Sequence, residues 1–489
     1  MKSYILNRVL KSFISIFLVV SIVMVMAFTM IPRTNIFMND GAYSKLSGDA
    51  KTTYMYTKLD ELGYLEFVRQ VDMCAVAGNP DKCNNNDPAE LDAVIAQYEA
   101  NGYVVSKLNS GTVYGYHDYS IAEILLHFWT NLIQIDTPSY VEKHYGVKLE
   151  NTGYRFGTDY AGVPALIGNG TNYKYQIYFN GSFPFIHQNI IHLNFGNSYP
   201  TKAGSPTLDV IGMGQGETKS KEVTFETGQT INSALNLHTA KYKTSLDALD
   251  AKKFNDAYAD CQSYYKAPSM INMSYIMGIL ALIIQYAIAI PAGIYMSRKK
   301  DKLPDKIGLV YINLLNALPS LAFIFFIKQI GIWCGLPATF ADLGFSSWKS
   351  WIMPIVILGL LSTPSLMTWT RRYMIDQSNS DYVKFAKAKG LSEKEVFNKH
   401  ILKNAIIPIV NGIPASIILC ISGAYITESA FAVPGMGKML PDSIKLTNNN
   451  MIITLVFIFT TLSVFSVLAG DILMTVVDPR IQLSTKKGQ

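Results

Sequence analysis

The stretch DYVKFAKAKGLSEKEVFNKHILKNAIIP, Asp381 to Pro408, decides how this 489-residue chain is read. It is basic and amphipathic, and apolar runs flank it on both sides. Gly390 splits it. Ahead of the glycine, Tyr382, Phe385, Ala386 and Ala388 mix with Lys384, Lys387 and Lys389. Gly390 stands where a left-handed helix stop falls. Behind it, Ser392 and Glu395 read as a capping box, and Leu391 with Val396 as a hydrophobic staple. The pattern predicts two short helices joined by a sharp turn, exposed at a membrane surface. A membrane protein has little reason to keep such a segment on its cytoplasmic face unless something docks there. The plainer alternative is a helix pair lying on lipid headgroups.

The membrane setting comes from composition. The chain is 49% hydrophobic with a positive mean hydropathy. Within Tyr4–Ile31 runs ISIFLVVSIVMVMAFTMI, longer than a signal-peptide core and with no small-x-small cleavage site after it, so it predicts a retained helix. Five further spans fall at about 271–296, 307–331, 350–370, 405–427 and 452–477, each with roughly the 20 apolar residues a bilayer requires. The span at 307–331 is the least clean, with Asn313, Asn316, Pro319 and Lys328.

Basic residues orient these spans. Lys2, Arg8 and Lys11 precede the first. Arg298, Lys299, Lys300, Lys302 and Lys306 fill one loop, and Arg371, Arg372 and six lysines fill the 371–404 loop. The tail carries Arg480, Lys486 and Lys487, whereas the loops 332–349 and 428–451 hold Lys349, Lys438 and Lys445. The positive-inside rule therefore expects both termini and the 381–408 segment in the cytoplasm. An even number of spans agrees.

About 240 residues, Pro32 to Ser269, separate the first two spans and are expected outside the cell. They carry 19 Lys/Arg and 25 Asp/Glu, a net −6, which leaves +12 for the remainder of a chain whose overall charge is +6. The basic balance is thus an inner-face property, and no nucleic-acid partner is implied. The region is rich in Tyr, Asn, Gly and Thr. TNYKYQIYFNG and KEVTFETG alternate like strands; AELDAVIAQYEANGY and KTSLDALDAKKFNDAYADCQSYY read as helices, giving an α+β domain. It is expected to serve as a docking surface for a partner or as a spacer. Cys74 and Cys83 bracket AVAGNPDK, a turn sequence, and are a candidate disulfide. Two unpaired thiols are the equal alternative, and Cys261 competes for either partner.

The 381–408 segment resembles the coupling loop of ABC importer permeases, which in that family sits in a groove on the ATP-binding subunit. Lys384, Phe385 and Ala386 stand where the family's Glu-Ala-Ala falls, and Gly390 to Pro408 spans eighteen residues, the longer form of the peptide-transport branch. Other signatures follow in order. YILNRVLKSF resembles the family's amphipathic entry, LNFGNSY (193–199) its external element, and ALPSLAFIFF (317–326) its Pro-containing third span. ESAFAVPGMGKML (428–440) resembles its outer-loop motif, here Glu428, Phe431, Pro434, Gly435 and Gly437, and VVDPRIQ its ending. The chain is similar to the B-type subunit of oligopeptide/dipeptide permeases, with a large insertion like the streptococcal type.

That resemblance implies a type I importer fold: a polytopic α-helical membrane protein of six transmembrane helices with the α+β domain inserted between the first two. Its parts would be the N-terminal segment and first helix (1–31), the extracellular insert (32–269), the permease core (270–482) with a coupling loop at 375–404, and a cytoplasmic tail (483–489). It implies coupling to the ATPase through Asp381, Tyr382, Phe385, Ala386, Ala388, Gly390, Leu391, Ser392 and Glu395. Implied partners are a second homologous permease, two ATPases that bind ATP and Mg, an extracellular lipid-anchored binding protein and the peptide itself. The location it implies is the plasma membrane of a Gram-positive bacterium.

This chain itself is expected to bind no cofactor or metal and to catalyse nothing. No G-x-x-x-x-G-K-[ST] is present, and PGMGK lacks its first Gly and its Ser/Thr. HQNIIH has the wrong spacing for a metal-ligand helix. Gln285, Asn313, Asn316, Ser320, Thr363, Ser365 and Asn411 are candidate pore-lining groups, with helix–helix hydrogen bonding as the alternative. Asn313, Asn316 and Ser320 would share one helix face. Dipeptides, metal chelates and oligosaccharides remain alternative cargoes. A sensor with an external ligand domain is the reading from another class, though no cytoplasmic signalling domain accompanies it.

Overall fold

The computed structural model describes residues 2–179, 186–214, 216–235, 238–239, 241–261 and 263–477. The VVDPRIQ ending beyond Val477 and the 483–489 tail lie outside the described residues. The chain forms two compact units. One holds Met1–Val23, Ala267–Lys445 and Leu455–Gln489; the other holds Met24–Lys266 together with Leu446–Thr454. The second unit is therefore larger than the 32–269 insert. It takes in the last turns of helix α1 (Lys2–Met30) and the residues that open the final helix.

In this second unit, α2 (Gly48–Glu61) packs on a three-stranded antiparallel sheet of order β1-β3-β2, built from β1 (Leu65–Arg69), β2 (Val104–Lys107) and β3 (Val113–Asp118). The helix α3 (Pro88–Ala100) starts at Asp87, whose carboxylate accepts the Ala89 N–H. Cys74 and Cys83 are joined by a disulfide, both fully buried against Met73, Leu91, Val94 and Val113. Next, α4 (Ile121–Asn131) opens on a Ser120/Glu123 capping box and runs into β4 (Ile133–Ile135). A four-stranded antiparallel sheet follows: β5 (Arg155–Thr158), β6 (Pro164–Ile167), β7 (Tyr175–Tyr178) and β8 (His187–Gln188). β9 (Ile191–Leu193) returns to pair with β4, and β10 (Lys221–Thr224) with β11 (Thr230–Ser233) makes a hairpin.

KTSLDALDAKKFNDAYADCQSYY is not helical: the described residues there form turns and bridges. Its Asp and Asn side chains explain the failure. Asp247 accepts from the Leu249 and Asp250 amides and Asp256 from the Tyr258 amide, so local side chains take the N–H groups a helix needs.

The LNFGNSY element packs within the same unit. The Asn448 amide donates to Ser198 Oγ at 2.9 Å and accepts from the Tyr199 N–H. Asn450 donates to the Asn197 carbonyl at 3.0 Å. Gly196 has φ +79°, and a Cβ there would stand 2.6 Å from the Asn450 amide nitrogen. Both conditions demand glycine. Asn449 reaches Tyr64 Oη at 2.5 Å and the Ala27 carbonyl at 3.3 Å, and the Phe28 ring packs tilted against Tyr64 with centroids 4.6 Å apart.

The membrane unit consists of α5 (Met270–Arg298), α6 (Leu303–Ala317), α7 (Ser320–Trp333), α8 (Trp348–Ser378), α9 (Asp381–Ala388), α10 (Ile407–Leu419), α11 (Tyr425–Ala430), α12 (Met436–Lys445) and α13 (Asn449–Val477), with the start of α1. Among the described residues, five helices are long and apolar enough to cross a bilayer; α6 and α7 make a sixth when their bent pair counts as one span. The span expected over 307–331 is in fact broken by 108°. Pro319 cannot donate to the preceding turn, and it holds Leu318 at ψ 130°, outside the helical region. Asn313, Asn316 and Ser320 therefore do not share one helix face. α8 also runs through Ser378, three residues past the expected start of the loop at 375.

Small residues set the crossings. A Cβ on Gly293 would stand 2.7 Å from Thr370 Cβ, and one on Gly359 would stand 3.0 Å from the Ala281 carbonyl. These glycines let α5 and α8 approach backbone to backbone, as spans must when lipid is as apolar as the core. Around Ala281 pack Met273, Met277, Ile324, Met353, Ile357 and Phe431.

Candidate functional site: a capped cytoplasmic turn and a buried carboxylate clasp

α9 ends in a Schellman motif. The Gly390 N–H donates to the Lys387 carbonyl at 2.9 Å and the Leu391 N–H to the Ala386 carbonyl at 3.4 Å. Gly390 has φ +80° and open space around it, so the backbone angle alone selects glycine. Ser392 Oγ then accepts the Glu395 N–H at 3.3 Å, while Glu395 Oε2 accepts the Ser392 N–H at 3.2 Å. The Ser392 hydrogen bonds hold the Glu395 carboxyl below its ordinary range. The segment continues as a π-helical stretch, Val396–Leu402, rather than a second α-helix of ordinary length.

One face of this turn is anchored and the other is free. Val383, Ala386, Val396, Ile401 and Ala405 are buried against Met374, with Leu391 packed beside them. Ala386 thus faces inward, and what it supplies is position, not a contact for a partner. Val383 was not singled out in the sequence, although its place three residues before Ala386 gives the same inward stripe. Phe385, by contrast, is 68% exposed, and Tyr382 is exposed beside it with its hydroxyl 2.5 Å from Gln377 Oε1. Asp381, Lys384, Lys387, Ala388 and Lys389 are exposed as well. The result is a stiff, basic, aromatic-tipped surface.

Where α8 leads into this segment, Arg371 makes a two-pronged ion pair with Asp305, Nε to Oδ1 at 2.6 Å and Nη2 to Oδ2 at 2.7 Å. Asp305 is fully buried. The sequence showed Arg371 as one of many loop basics. Its partner lies 66 residues away, so no local pattern could reveal the pair.

The outer-loop motif closes on itself. Glu428 is 2% exposed. Its Oε1 accepts from Ser274 Oγ at 2.7 Å and from the Ala424 N–H at 3.1 Å; its Oε2 accepts from the Lys438 N–H at 3.0 Å. Ser274 Oγ in turn accepts the Met436 N–H at 2.7 Å. A Cβ on Gly423 or Gly435 would strike the Glu428 carboxylate, and one on Gly437 would come within 2.8 Å of the Ala424 nitrogen. Phe431 is buried, its carbonyl accepts the Phe340 N–H, and Lys328 Nζ sits 5.0 Å above its ring while donating to the Ala430 carbonyl. Ser274 and Gly423 complete the clasp from outside the motif, where sequence carried no sign of them.

The family description "Binding-protein-dependent transport system inner membrane component" matches residues 289–483, which contain the turn and all of the clasp except Ser274. The oligopeptide transport system permease protein AmiC of Streptococcus pneumoniae is 42% identical over the full length of both chains. The dipeptide transport system permease protein DppB of Lactococcus lactis is 34% identical over 140 residues, 29% of this chain and 46% of that protein. This chain belongs to the oligopeptide ABC permease family. Among solved structures, the inward-facing MetNI methionine ABC transporter aligns with 43% of this chain and 94% of its own at 14% identity and a TM-score of 0.33.

As an oligopeptide-permease subunit the chain is a transporter component, and the sensor reading has no support among these relatives. Its polar span residues divide by environment. Gln285 donates to the Ser362 carbonyl at 3.0 Å and lines a cavity of about 250 Å³ with Ser274, Ser416, Thr427 and Glu428. Thr363 is fully buried and shares a 2.7 Å hydrogen bond with Tyr311. Asn411 is half-buried near Gly470. Asn313, Asn316, Ser320 and Ser365 are exposed. The seven residues are thus not gathered on one surface, and Gln285 and Thr363 tie helices together.

Proposed function

We propose that this protein is one of two membrane-spanning subunits of an ATP-driven importer that takes up oligopeptides. An extracellular lipid-anchored binding protein delivers the peptide, a second homologous permease completes the pore, and two ATPases bind ATP and Mg on the cytoplasmic side. The observation that carries the reading is the doubly capped turn at 381–396, with Phe385 and Tyr382 presented on a basic surface. Two helix ends locked by backbone caps transmit a push as a rigid body, and exposed aromatics surrounded by charge are the usual anchors of a protein contact. Asp381, Tyr382, Phe385, Ala388 and the lysines would touch the ATPase; Gly390, Leu391, Ser392 and Glu395 would hold the shape. This rests on both termini being cytoplasmic and the 32–266 region being outside, as the basic loops indicate.

Affinity purification from the native membrane tests the assembly. ATPases and a peptide-binding lipoprotein should copurify. Copurification of a binding protein for dipeptides, metal chelates or oligosaccharides would overturn the cargo assignment while leaving the machine intact.

A further inference from the structure

The β4–β9 ribbon is inside out. Ile133 pairs with Leu193, Gln134 with His192 and Ile135 with Ile191. Side chains alternate across a strand, so the four aliphatic residues share one face and Gln134 and His192 share the other. The aliphatic face is the exposed one: Ile133 is 59%, Ile135 49%, Ile191 49% and Leu193 41% exposed. The polar face is the more covered one, with Gln134 and His192 half-buried. Asp136, next in the inward phase, is buried and bonded to Lys174 at 3.1 Å and to Asn169 at 2.7 Å, and its N–H extends the ribbon to the Ile190 carbonyl. Leu126, on the helix that runs into β4, is 64% exposed as well. A soluble surface seldom sets four adjoining branched aliphatics outward and turns the polar face in.

The ribbon's place in its own unit says what covers that face. Three residues after Leu193 comes Gly196, whose backbone touches Asn450, the second residue of α13. Leu193 therefore lies within about 10 Å of that contact, from the reach of three extended residues. α13 is a candidate membrane span from Asn449, and the end of the other span in this unit, at Ala27 and Phe28, is tied to the same place through Asn449 and Tyr64. Apolar faces enter the boundary between headgroups and acyl chains to a depth of about 5–10 Å. The face also carries no hydrogen-bonding side chain, whereas a protein interface makes about one hydrogen bond per 100–200 Å².

Resting on the membrane-permease assignment, we propose that the outward face of the β4–β9 ribbon is seated in the bilayer surface, with Ile133, Ile135, Ile191 and Leu193 in contact with lipid. The soluble unit is then held to the membrane by this ribbon in addition to the four places where the chain passes between the units.

The test uses the assembled transporter in liposomes of phosphatidylglycerol and phosphatidylcholine, with Cys261, Cys334 and Cys420 replaced by serine. Nitroxides are placed through Ile133→Cys, Ile191→Cys and, as a water-exposed reference, Val76→Cys. Collision with lipid-soluble oxygen should exceed collision with a water-soluble nickel chelate at 133 and 191, and the order should reverse at 76. A reference-like result at 133 and 191 would overturn the proposal in favour of a solvated face. Protection from both reagents would overturn it in favour of a protein cover. Peptide uptake is scored separately, so lipid contact without uptake would count against the cargo reading and leave this one standing.

Discussion

Gly390 is the residue on which the coupling turn depends. Its φ of +80° costs a β-branched side chain about 1–2 kcal/mol, and no neighbour compensates. Gly390→Val should leave the protein inserted and assembled yet lower both peptide uptake and peptide-stimulated ATPase; equal uptake at equal protein level would contradict the role. Glu395 adds a pH dependence. Its folded pKa is depressed, so the cap is fully present above the ordinary glutamate value near 4.5 and is lost as pH falls through the lower folded value. A spin label at Lys394 should therefore loosen below about pH 4.5. Ser392→Ala should loosen it already at neutral pH and flatten the acid response. A label indifferent to Ser392→Ala would dismiss the cap. At the clasp, Glu428→Gln leaves backbone donors facing an amide, at about 1–3 kcal/mol for each stranded group. Gly435→Ala crowds the same carboxylate. Thermal unfolding of the two single variants and the double should show strongly sub-additive losses; simple additivity would mean that the two residues do not act through one contact.

Elements were legible in the sequence where local chemistry alone defines them. The Schellman glycine, the Ser392/Glu395 box and the Leu391–Val396 pairing are spaced within a few residues, and all three appear in the fold. Long apolar runs were legible for the same reason. What failed was decided by competition or by distance. Pro319 divides the least clean of the apolar runs, and its single missing N–H turns one expected span into α6 and α7. The 243–265 segment has helical periodicity, but its Asp side chains cap turns instead. Ser274 and Asp305 act on partners 154 and 66 residues away, and for such contacts periodicity has no signal. The anchored and free faces of the turn give a directional prediction. Cysteine at Phe385 should crosslink to the ATPase in native membranes, and cysteine at Val383 should not. A reversed pattern would mean that the turn docks by its other side.

For the molecule as a whole, orientation is the assumption that joins the sites to a direction of transport. An impermeant amine or thiol label added to intact cells should modify the 32–266 region and leave 379–404 unmodified; labelling of Lys384 to Lys403 from outside would reverse the topology. The clasp, the glycine crossings and the Asp305–Arg371 pair make the membrane unit a set of helices locked at a few points, and such a body moves in segments rather than by bending. Transport would follow when the ATPases displace the capped turn. The most direct measurement is uptake of a labelled oligopeptide into proteoliposomes containing this subunit, its partner permease, the two ATPases and the binding protein. The account predicts accumulation that requires ATP and the loaded binding protein and that falls sharply with Gly390→Val. Accumulation without ATP, or undiminished in that variant, would contradict it.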